Sequence, residues 1–296
     1  MTVLTLLSNH RDTLLSMYAA MVKTRLCEEA VLSLAGADYL PVRGQEAVAA
    51  GTAAALDEGD RLVTTRRCLH ELVACGVPLR DVVRLAAAQW GAAEARASAP
   101  AHGVIFSTGT PGAGIPVAAG AALAAKVTGS DRVVVVSFGD GATNTGAFHE
   151  AANLAAVQRL PLVLLCQNNL YSRYTPVLET MRINRIAARA QAYGMPGRTV
   201  DGNDPVAVRE AVGEAVALAR AGGGPMLVEC VTFRLGGYRA GDGPDYIPPE
   251  DLAMAMAEDP VPRYERWLRE TTGIDPESLA RIASAARREV EEVISW

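Results

Sequence analysis

Two short polar segments of the sequence could bind a metal ion and a phosphate group. Gly139-Asp140-Gly141 directly follows the apolar run RVVVVSF, and Asn168-Asn169 directly follows LVLLCQ. The Asp140 carboxylate and the Asn169 amide oxygen are hard oxygen ligands, which suit Mg²⁺ or Ca²⁺. The glycines allow the backbone to approach a phosphate and leave its N–H groups free to donate.

Either segment alone is typical of an ordinary turn, since turns favour Gly, Asp and Asn. The combination is more specific, because each segment follows its own buried strand and a single helix separates the two. Mg²⁺ typically takes one or two side-chain ligands and completes its octahedron with phosphate oxygens and water. Asp140 and Asn169 together therefore favour a site for Mg²⁺ and phosphate.

The elements around these segments alternate between strand and helix. An unbroken β-branched run such as RVVVVSF is typical of a parallel strand that is buried on both faces. The pattern predicts strands at 132–138, 162–166 and 226–233 and helices at 144–158 and 205–221. It predicts an α/β fold, a doubly wound and mostly parallel sheet flanked by helices. Because ligands bind at the carboxyl ends of such strands, Asp140 and Asn169 are expected at neighbouring or near-neighbouring strand ends.

Further elements complete a single predicted domain over residues 1–296. Apolar spacing predicts helices at about 10–35, 45–56 and 112–126, a strand at 62–65, a helix from about Leu69 and a helical C-terminal tail from about 248. Residues 90–112 have the composition of an irregular loop, and long loops in compact domains are often functional. The chain shows no internal repeat and no linker that would divide it.

Bulk composition excludes several classes of function. The chain has 296 residues, of which 50% are hydrophobic and 21% are charged, and its net charge is −5. It has no basic cluster that would track a nucleic-acid backbone. Its five cysteines are widely spaced, which argues against a disulfide framework or a structural zinc site. No stretch resembles a leader or a membrane span, so we expect a cytoplasmic protein without a membrane partner.

The segment that joins the two polar motifs identifies a family. Residues 139–171, GDGATNTGAFHEAANLAAVQRLPLVLLCQNNLY, resemble the motif that binds thiamine diphosphate (ThDP). The sequence of this segment is similar in detail to that of the α subunits of E1 components of 2-oxo acid dehydrogenase complexes and of acetoin dehydrogenase. Segments at 43–51, 112–126, 175–177 and 228–234 agree, so the resemblance covers about residues 15–268 in one order. It implies the ThDP-binding fold, with ThDP and Mg²⁺ as cofactors.

The resemblance also implies roles for individual residues. Asp140, Asn169 and the backbone carbonyl of Tyr171 would ligate Mg²⁺. Gly141 and Ala142 would direct backbone N–H groups at the diphosphate.

Two arginines and a glycine complete the implied cofactor site. Arg66 and Arg234 match the arginines that clamp the diphosphate, and each guanidinium can bind such a group bidentately. Gly109 matches a glycine whose carbonyl meets the aminopyrimidine of ThDP. Pro111 departs from the family, because it occupies a position whose backbone N–H meets that ring and proline has no N–H.

The substrate side departs further from the family. Leu40, Cys68 and Tyr238 stand at three positions where these α subunits usually carry His, and Arg239 stands in place of Ser. Cofactor binding is therefore expected to be kept while the substrate step is altered. The candidates for a catalytic role are Tyr238, which is a hydrogen-bond donor, Cys68, which is a possible nucleophile, and His102, which matches a family His near the active-site loop.

The implied activity is cleavage of a C–C bond next to a ketone, as in decarboxylation of a 2-oxo acid with acyl transfer to a lipoyl group. In this family a β subunit supplies the Glu that activates ThDP, so the chain is expected to work only in an α₂β₂-type assembly. The absence of histidine at the three positions above favours a second interpretation, which is two-carbon transfer to another acceptor such as a carrier protein. A non-catalytic scaffold is the third reading, and the four retained cofactor positions argue against it.

Overall fold

A six-stranded parallel sheet forms the centre of the protein, with the strand order β2-β1-β3-β4-β8-β7. The computed structural model describes residues 3–34, 36, 38–88, 99–106 and 109–295, with side chains from residue 10 onward. The strands of the sheet are β1 (Arg61–Thr64), β2 (Val104–Phe106), β3 (Val134–Gly139), β4 (Leu162–Asn168), β7 (Gly197–Asp201) and β8 (Met226–Val231). A short antiparallel hairpin, β5 (Tyr171–Ser172) and β6 (Thr175–Pro176), follows β4.

Helices cover both faces of this sheet. The α-helices of the described residues are α1 (Val3–Leu34), α2 (Glu46–Ala53), α3 (Leu69–Ala74), α4 (Leu79–Ala87), α5 (Gly114–Val127), α6 (Gly146–Val157), α7 (Val177–Thr180), α8 (Pro205–Arg220), α9 (Pro249–Ala257), α10 (Pro260–Thr271) and α11 (Pro276–Ile294). Helices α5 and α6 pack on one face, and α2 and α8 pack on the other. The predicted α/β fold with a doubly wound parallel sheet is confirmed.

Central strands β3 and β4 are adjacent and buried, as their apolar runs require. Val135 and Leu164 have no exposed surface, and the two strands pair in parallel with Gly139 opposite Gln167. This register brings the residues that follow both strands to one edge of the sheet. The prediction that Asp140 and Asn169 lie at neighbouring strand ends is therefore correct.

Local capping explains where two helices begin. The Thr145 side chain accepts a hydrogen bond from the N–H of Phe148 at the start of α6. At the start of α8, Asp204 accepts from two backbone N–H groups, and Pro205 occupies the first turn, where its missing N–H is harmless. Helix α5 instead uses small residues, and Ala118 and Ala122 lie fully buried against the sheet.

Several elements differ from the sequence-based expectation. Part of the predicted loop 90–112 is ordered structure, because residues 99–102 form a 3-10 helix and residues 104–106 form edge strand β2. Residues 90–98 and 107–108 of that loop lie outside the described residues. Strand β7 was not predicted, and the helix predicted from Leu69 is two helices, α3 and α4, separated by Gly76 in a left-handed conformation and by Pro78.

The C-terminal helices pack onto the N-terminal helix. Leu268 of α10 and Leu279 of α11 are buried against Met17 and Met21 of α1. Arg25 of α1 adds polar contacts, since it pairs with Glu46 at 2.6 Å and with Asp259 at 2.9 Å. In the described part of the chain, no helix has the length and apolar character that crossing a membrane requires.

Candidate cofactor and metal site

A cavity of about 300 Å³ lies at the carboxyl ends of strands β1, β3 and β4. Its walls include eleven residues assigned from the sequence: Leu40, Arg66, Gly109, Pro111, Asp140, Gly141, Ala142, Asn169, Tyr171, Arg234 and Tyr238. A larger and more apolar cavity of about 590 Å³ lies beside it, between α7 and α9, and shares Tyr171 with it. The smaller cavity is the candidate site, because it brings together the oxygen ligands and the arginines.

Asp140 begins a 3-10 helix at the end of β3 and has only 2% of its surface exposed. Its Oδ2 atom is buried and has no hydrogen-bond partner among the described residues. Burial raises the pKa of this carboxyl to about 6, while nearby backbone N–H groups and the charge of Arg234 act in the opposite direction. A buried carboxylate oxygen without a partner is a free-energy cost that a bound cation would remove.

The two asparagines after β4 have different roles. Asn168 is tied into the fold, since its Nδ2 donates to Glu229 at 2.7 Å. Asn169 lines the cavity, and its Nδ2 donates to Gln45 Oε1 at 3.0 Å. The amide oxygen of Asn169 accepts from the N–H of Tyr171 at 3.3 Å. Fixing the nitrogen in this way leaves the amide oxygen as the atom available to a cation.

The backbone that carries Tyr171 is held in an uncommon conformation. Leu170 and Arg173 have φ values of 68° and 57°, in the left-handed region that costs a non-glycine residue about 1–2 kcal/mol. Such residues persist where surrounding contacts determine the chain path, and they cluster at functional sites. Here they bend residues 170–173 back over the cavity.

Gly141 allows the hairpin after β4 to approach the end of β3. A Cβ atom at Gly141 would lie 2.2 Å from Ser172 Oγ, so a side chain at this position would collide with the hairpin. Residues 141 and 142 both line the cavity, so their backbone lies at its wall. This is the close backbone approach that phosphate binding needs.

Arg234 and Arg66 both reach the cavity. Arg234 is 3% exposed and donates to the Arg173 carbonyl at 2.6 Å and to the Tyr246 hydroxyl at 2.8 Å. Its Nε atom is buried and lacks a partner among the described residues. Arg66 is half-buried and donates to the Asp38 carbonyl at 3.3 Å.

Arg67 is a cavity residue that the sequence analysis missed. Its guanidinium donates to the Pro41 carbonyl and, at 3.2 Å, to the Tyr238 carbonyl. Burial and the neighbouring charge of Arg234 lower the pKa of Arg67 to about 10. The segment TTRR offers two adjacent arginines, and residue type alone does not tell which of them faces a site. Arg173, on the hairpin, also lines the cavity and was also missed.

Two of the three catalytic candidates are not at this cavity. Cys68 is 1% exposed and faces a small void of about 10 Å³ on the far side of Arg66 and Leu40. Burial raises the pKa of its thiol well above the usual value, so the thiolate needed for nucleophilic attack is disfavoured. His102 is exposed and ends the 3-10 helix two residues before Val104, the first residue of β2, which places it at the amino edge of the sheet, opposite the cavity. Of the three catalytic candidates, the cavity wall therefore includes Tyr238 but neither Cys68 nor His102.

A buried polar network lies beneath the cavity and had no sequence signal. His70 Nε2 lies 2.9 Å from Gln167 Oε1, and Gln167 Nε2 donates to Glu71 at 2.8 Å and to Ser137 at 2.7 Å. Burial raises the pKa of Glu71 to about 8 and lowers that of His70 to about 4, so both are neutral near pH 7. The network joins α3 to β3 and β4 just before Asp140 and Asn169.

The fold and the cavity together define an α/β protein that gathers a carboxylate, an amide and arginines at the carboxyl ends of parallel strands. The family model described as dehydrogenase E1 component matches residues 20–295. The chain belongs to this family, as its resemblance to E1 α subunits predicted.

Curated relatives agree over most of the chain. The α subunit of acetoin:2,6-dichlorophenolindophenol oxidoreductase from Bacillus subtilis is 35% identical over 302 residues, which cover 98% of this chain and 90% of the relative. The α subunit of 3-methyl-2-oxobutanoate dehydrogenase from Mycobacterium tuberculosis is 38% identical over 278 residues, which cover 88% of this chain and 73% of the relative. The α subunit of 2-oxoisovalerate dehydrogenase from Bacillus subtilis is 34% identical over 270 residues, which cover 86% of this chain and 81% of the relative.

Proposed function

We propose that this chain is the α subunit of a ThDP- and Mg²⁺-dependent enzyme that cleaves a C–C bond next to a ketone, as in 2-oxo acid decarboxylation with acyl transfer. The observation that carries the proposal is the buried Oδ2 of Asp140, which has no partner among the described residues, at the same cavity as the oriented amide of Asn169. Names of the relatives support the 2-oxo acid as substrate class, since three of them are 2-oxoisovalerate, 3-methyl-2-oxobutanoate and pyruvate dehydrogenase subunits.

The residues present fit the proposed cofactor. Asp140, Asn169 and the carbonyl of Tyr171 would hold Mg²⁺, and an oxygen-only set of this kind suits that ion. Residues 141 and 142 would donate backbone N–H groups to the diphosphate. Arg66 and Arg234 would add charge-assisted hydrogen bonds. The Nε of Arg234 has no partner in the described part of the chain, and it is a buried donor that an anion would satisfy.

When bound, ThDP supplies the nucleophilic carbon that attacks a ketone. The chain's own contribution is to bind and orient. The Asn169–Gln45 hydrogen bond holds one cation ligand in place, and the Arg173 carbonyl holds the Arg234 guanidinium. Tyr238, half-buried at the cavity wall, would donate its hydroxyl proton in a hydrogen bond to the substrate.

A β subunit is part of the proposal. Helices α5 and α6 expose an apolar surface that a monomer in water would not favour, and it includes Val117, Val127 and Val157 at 44%, 77% and 69% exposure. We propose this surface, which we call the α5/α6 face, as the place where the β subunit docks. The Ala- and Gly-rich sequence of α5 suits close packing there.

The test is calorimetric titration of ThDP with Mg²⁺ into the chain, alone and with its β partner. Asp140→Ala is expected to abolish binding, and Asp12→Ala, at an exposed position of α1, serves as the matched control. Equal affinity in wild type and Asp140→Ala would rule out the proposed metal ligand. Full turnover by the chain alone would rule out the requirement for β.

A second candidate function is two-carbon transfer to an acceptor other than a lipoyl group, such as a carrier protein. The observation that favours it is the cavity wall itself: among the described residues that line it there is no histidine, and Leu40 and Tyr238 occupy that wall. Comparing pyruvate decarboxylation with cleavage of ketose phosphates by the reconstituted pair separates the two functions.

A further inference from the structure

The residue that the proposed function places against the substrate, Tyr238, lies on a loop that is bordered by two cavities. This loop, residues 235–240, contains neither helix nor strand. Tyr238 lines the candidate cofactor cavity, whereas Gly236, Gly237 and Ala240 line a separate cavity of about 490 Å³. Because cavities border the loop, its position is defined less by packing than by its hydrogen bonds.

A second irregular segment, residues 39–43, accepts hydrogen bonds from both ends of this loop. The N–H of Leu235 donates to the Arg43 carbonyl at 3.0 Å, and the N–H of Ala240 donates to the Tyr39 carbonyl at 2.8 Å. Segment 39–43 has no helix or strand of its own. It can therefore hold the loop in place only if another part of the chain fixes the segment.

Arg67 joins the middle of the segment to the middle of the loop. Its guanidinium donates to the Pro41 carbonyl and, at 3.2 Å, to the carbonyl of Tyr238 itself. A displacement of Pro41 would therefore move the Arg67 guanidinium and, with it, the backbone of Tyr238.

Glu28 of helix α1 fixes segment 39–43. It is only 2% exposed, and its Oε1 accepts hydrogen bonds from the Tyr39 hydroxyl at 3.0 Å and from the Val42 N–H. Burial raises the pKa of Glu28 to about 7, while the Val42 N–H acts in the opposite direction. Burying a carboxyl is unfavourable unless donors satisfy it, and both of these donors belong to segment 39–43.

We propose that Glu28 is a positioning residue for Tyr238 and acts through segment 39–43 and the loop that this segment supports. The inference rests on the proposed function, in which Tyr238 hydrogen-bonds to the substrate. Glu28 lines the 490 Å³ cavity and not the cofactor cavity, so it influences the substrate step and not the binding of ThDP. A purely structural role would instead affect the stability of the whole chain.

Hydrogen–deuterium exchange with residue resolution tests the position of the loop without an activity assay. In Glu28→Met, which removes both acceptor oxygens, the amides of Leu235 and Ala240 should exchange about tenfold faster than in wild type, because their acceptor carbonyls are displaced. Glu28→Gln keeps one acceptor oxygen and should fall between the two. Exchange in β3 and β4 should stay unchanged. Glu29→Met, at the exposed neighbouring position of α1, is the matched control and should exchange as wild type.

Kinetics of the enzyme reconstituted with its β subunit test whether Glu28 acts through Tyr238. The assay is pyruvate decarboxylation, or ketose phosphate cleavage if wild type prefers it. Glu28→Met should lower kcat/KM about tenfold, while the affinity for ThDP and Mg²⁺ stays within about threefold. Tyr238→Phe removes the hydroxyl, so in that background Glu28→Met should lower kcat/KM by about twofold at most.

Tyr39→Phe removes one of the two donors to Glu28 and repeats both measurements if Glu28→Met does not fold. Unchanged exchange at Leu235 and Ala240 would overturn the positioning role, and so would losses from Glu28→Met and Tyr238→Phe that add in full. Failure of wild type to bind ThDP, or to cleave either substrate, would instead overturn the proposed function, and the exchange rates would still decide whether Glu28 positions the loop.

Discussion

The side-chain amide of Asn169 donates to Gln45 Oε1 at 3.0 Å, which ties the end of β4 to the residue before α2. Both residues are buried, and the Gln45 Nε2 atom has no partner among the described residues. Gln45 thus holds a proposed metal ligand although it does not line the cavity itself.

Replacing Gln45 by Met should weaken binding of Mg²⁺ and ThDP about tenfold, because Asn169 loses the hydrogen bond that orients its oxygen. Calorimetric titration of the assembly measures this. Gln191→Met, at an exposed position, is the control and should bind as wild type. An unchanged dissociation constant in Gln45→Met would mean that Asn169 needs no such support.

Gly141→Ala should weaken ThDP binding by at least tenfold, because the new Cβ would lie 2.2 Å from Ser172 Oγ and push the hairpin away. The double variant Gly141→Ala, Ser172→Gly should recover part of the affinity, since the obstructing side chain is gone. Gly213→Ala in α8, where a Cβ meets open space, is the control and should stabilise the chain by about 0.5–1 kcal/mol. No recovery in the double variant would contradict the steric explanation.

Glu71 should make stability depend on pH. Burial raises its pKa from 4.5 to about 8, so between these values the folded chain keeps a proton that the unfolded chain has lost. The free energy of unfolding therefore falls as pH rises through this window, by at most about 1.4 kcal/mol per pH unit from this group.

Glu71→Gln removes that dependence, so its stability relative to wild type should increase from pH 5 to pH 8. Urea unfolding of both proteins at several pH values measures the difference. Other buried acids such as Glu28, whose pKa is raised to about 7, contribute equally to both proteins and cancel. If the free energies of unfolding of the two proteins changed with pH in parallel, the raised pKa of Glu71 would be contradicted.

Charges on the α5/α6 face should block assembly without unfolding the chain. The double variant Val127→Lys, Val157→Lys changes two residues that are 77% and 69% exposed, so the stability of the isolated chain should change by about 0.5 kcal/mol or less per site. Size-exclusion chromatography with light scattering should show loss of the complex with β. Leu34→Lys, which changes a 52% exposed residue of α1, is the control, and equal loss of assembly there would argue against a specific face.

Much of the fold follows from local pattern. The runs that became β3 and β4 are apolar on both faces because helices cover both sides of the sheet, and this signal is readable without a structure. Strand β2 has only three residues and lies at the sheet edge, so its sequence shows no comparable run. Strand β7, the other edge, is half-exposed and carries mixed residues for the same reason.

The sequence by itself determined the family and predicted the residues at the cofactor end of the proposed site. Asp140 and Asn169 are readable because each directly follows a buried strand, and parallel strands end at one edge. Only the tertiary structure decided which groups share the cavity. It placed Arg67 and Arg173 beside Tyr238, buried Cys68 behind the wall and put His102 at the opposite edge. These outcomes depend on loop paths and side-chain directions set by contacts between residues far apart in the chain, which local spacing does not encode.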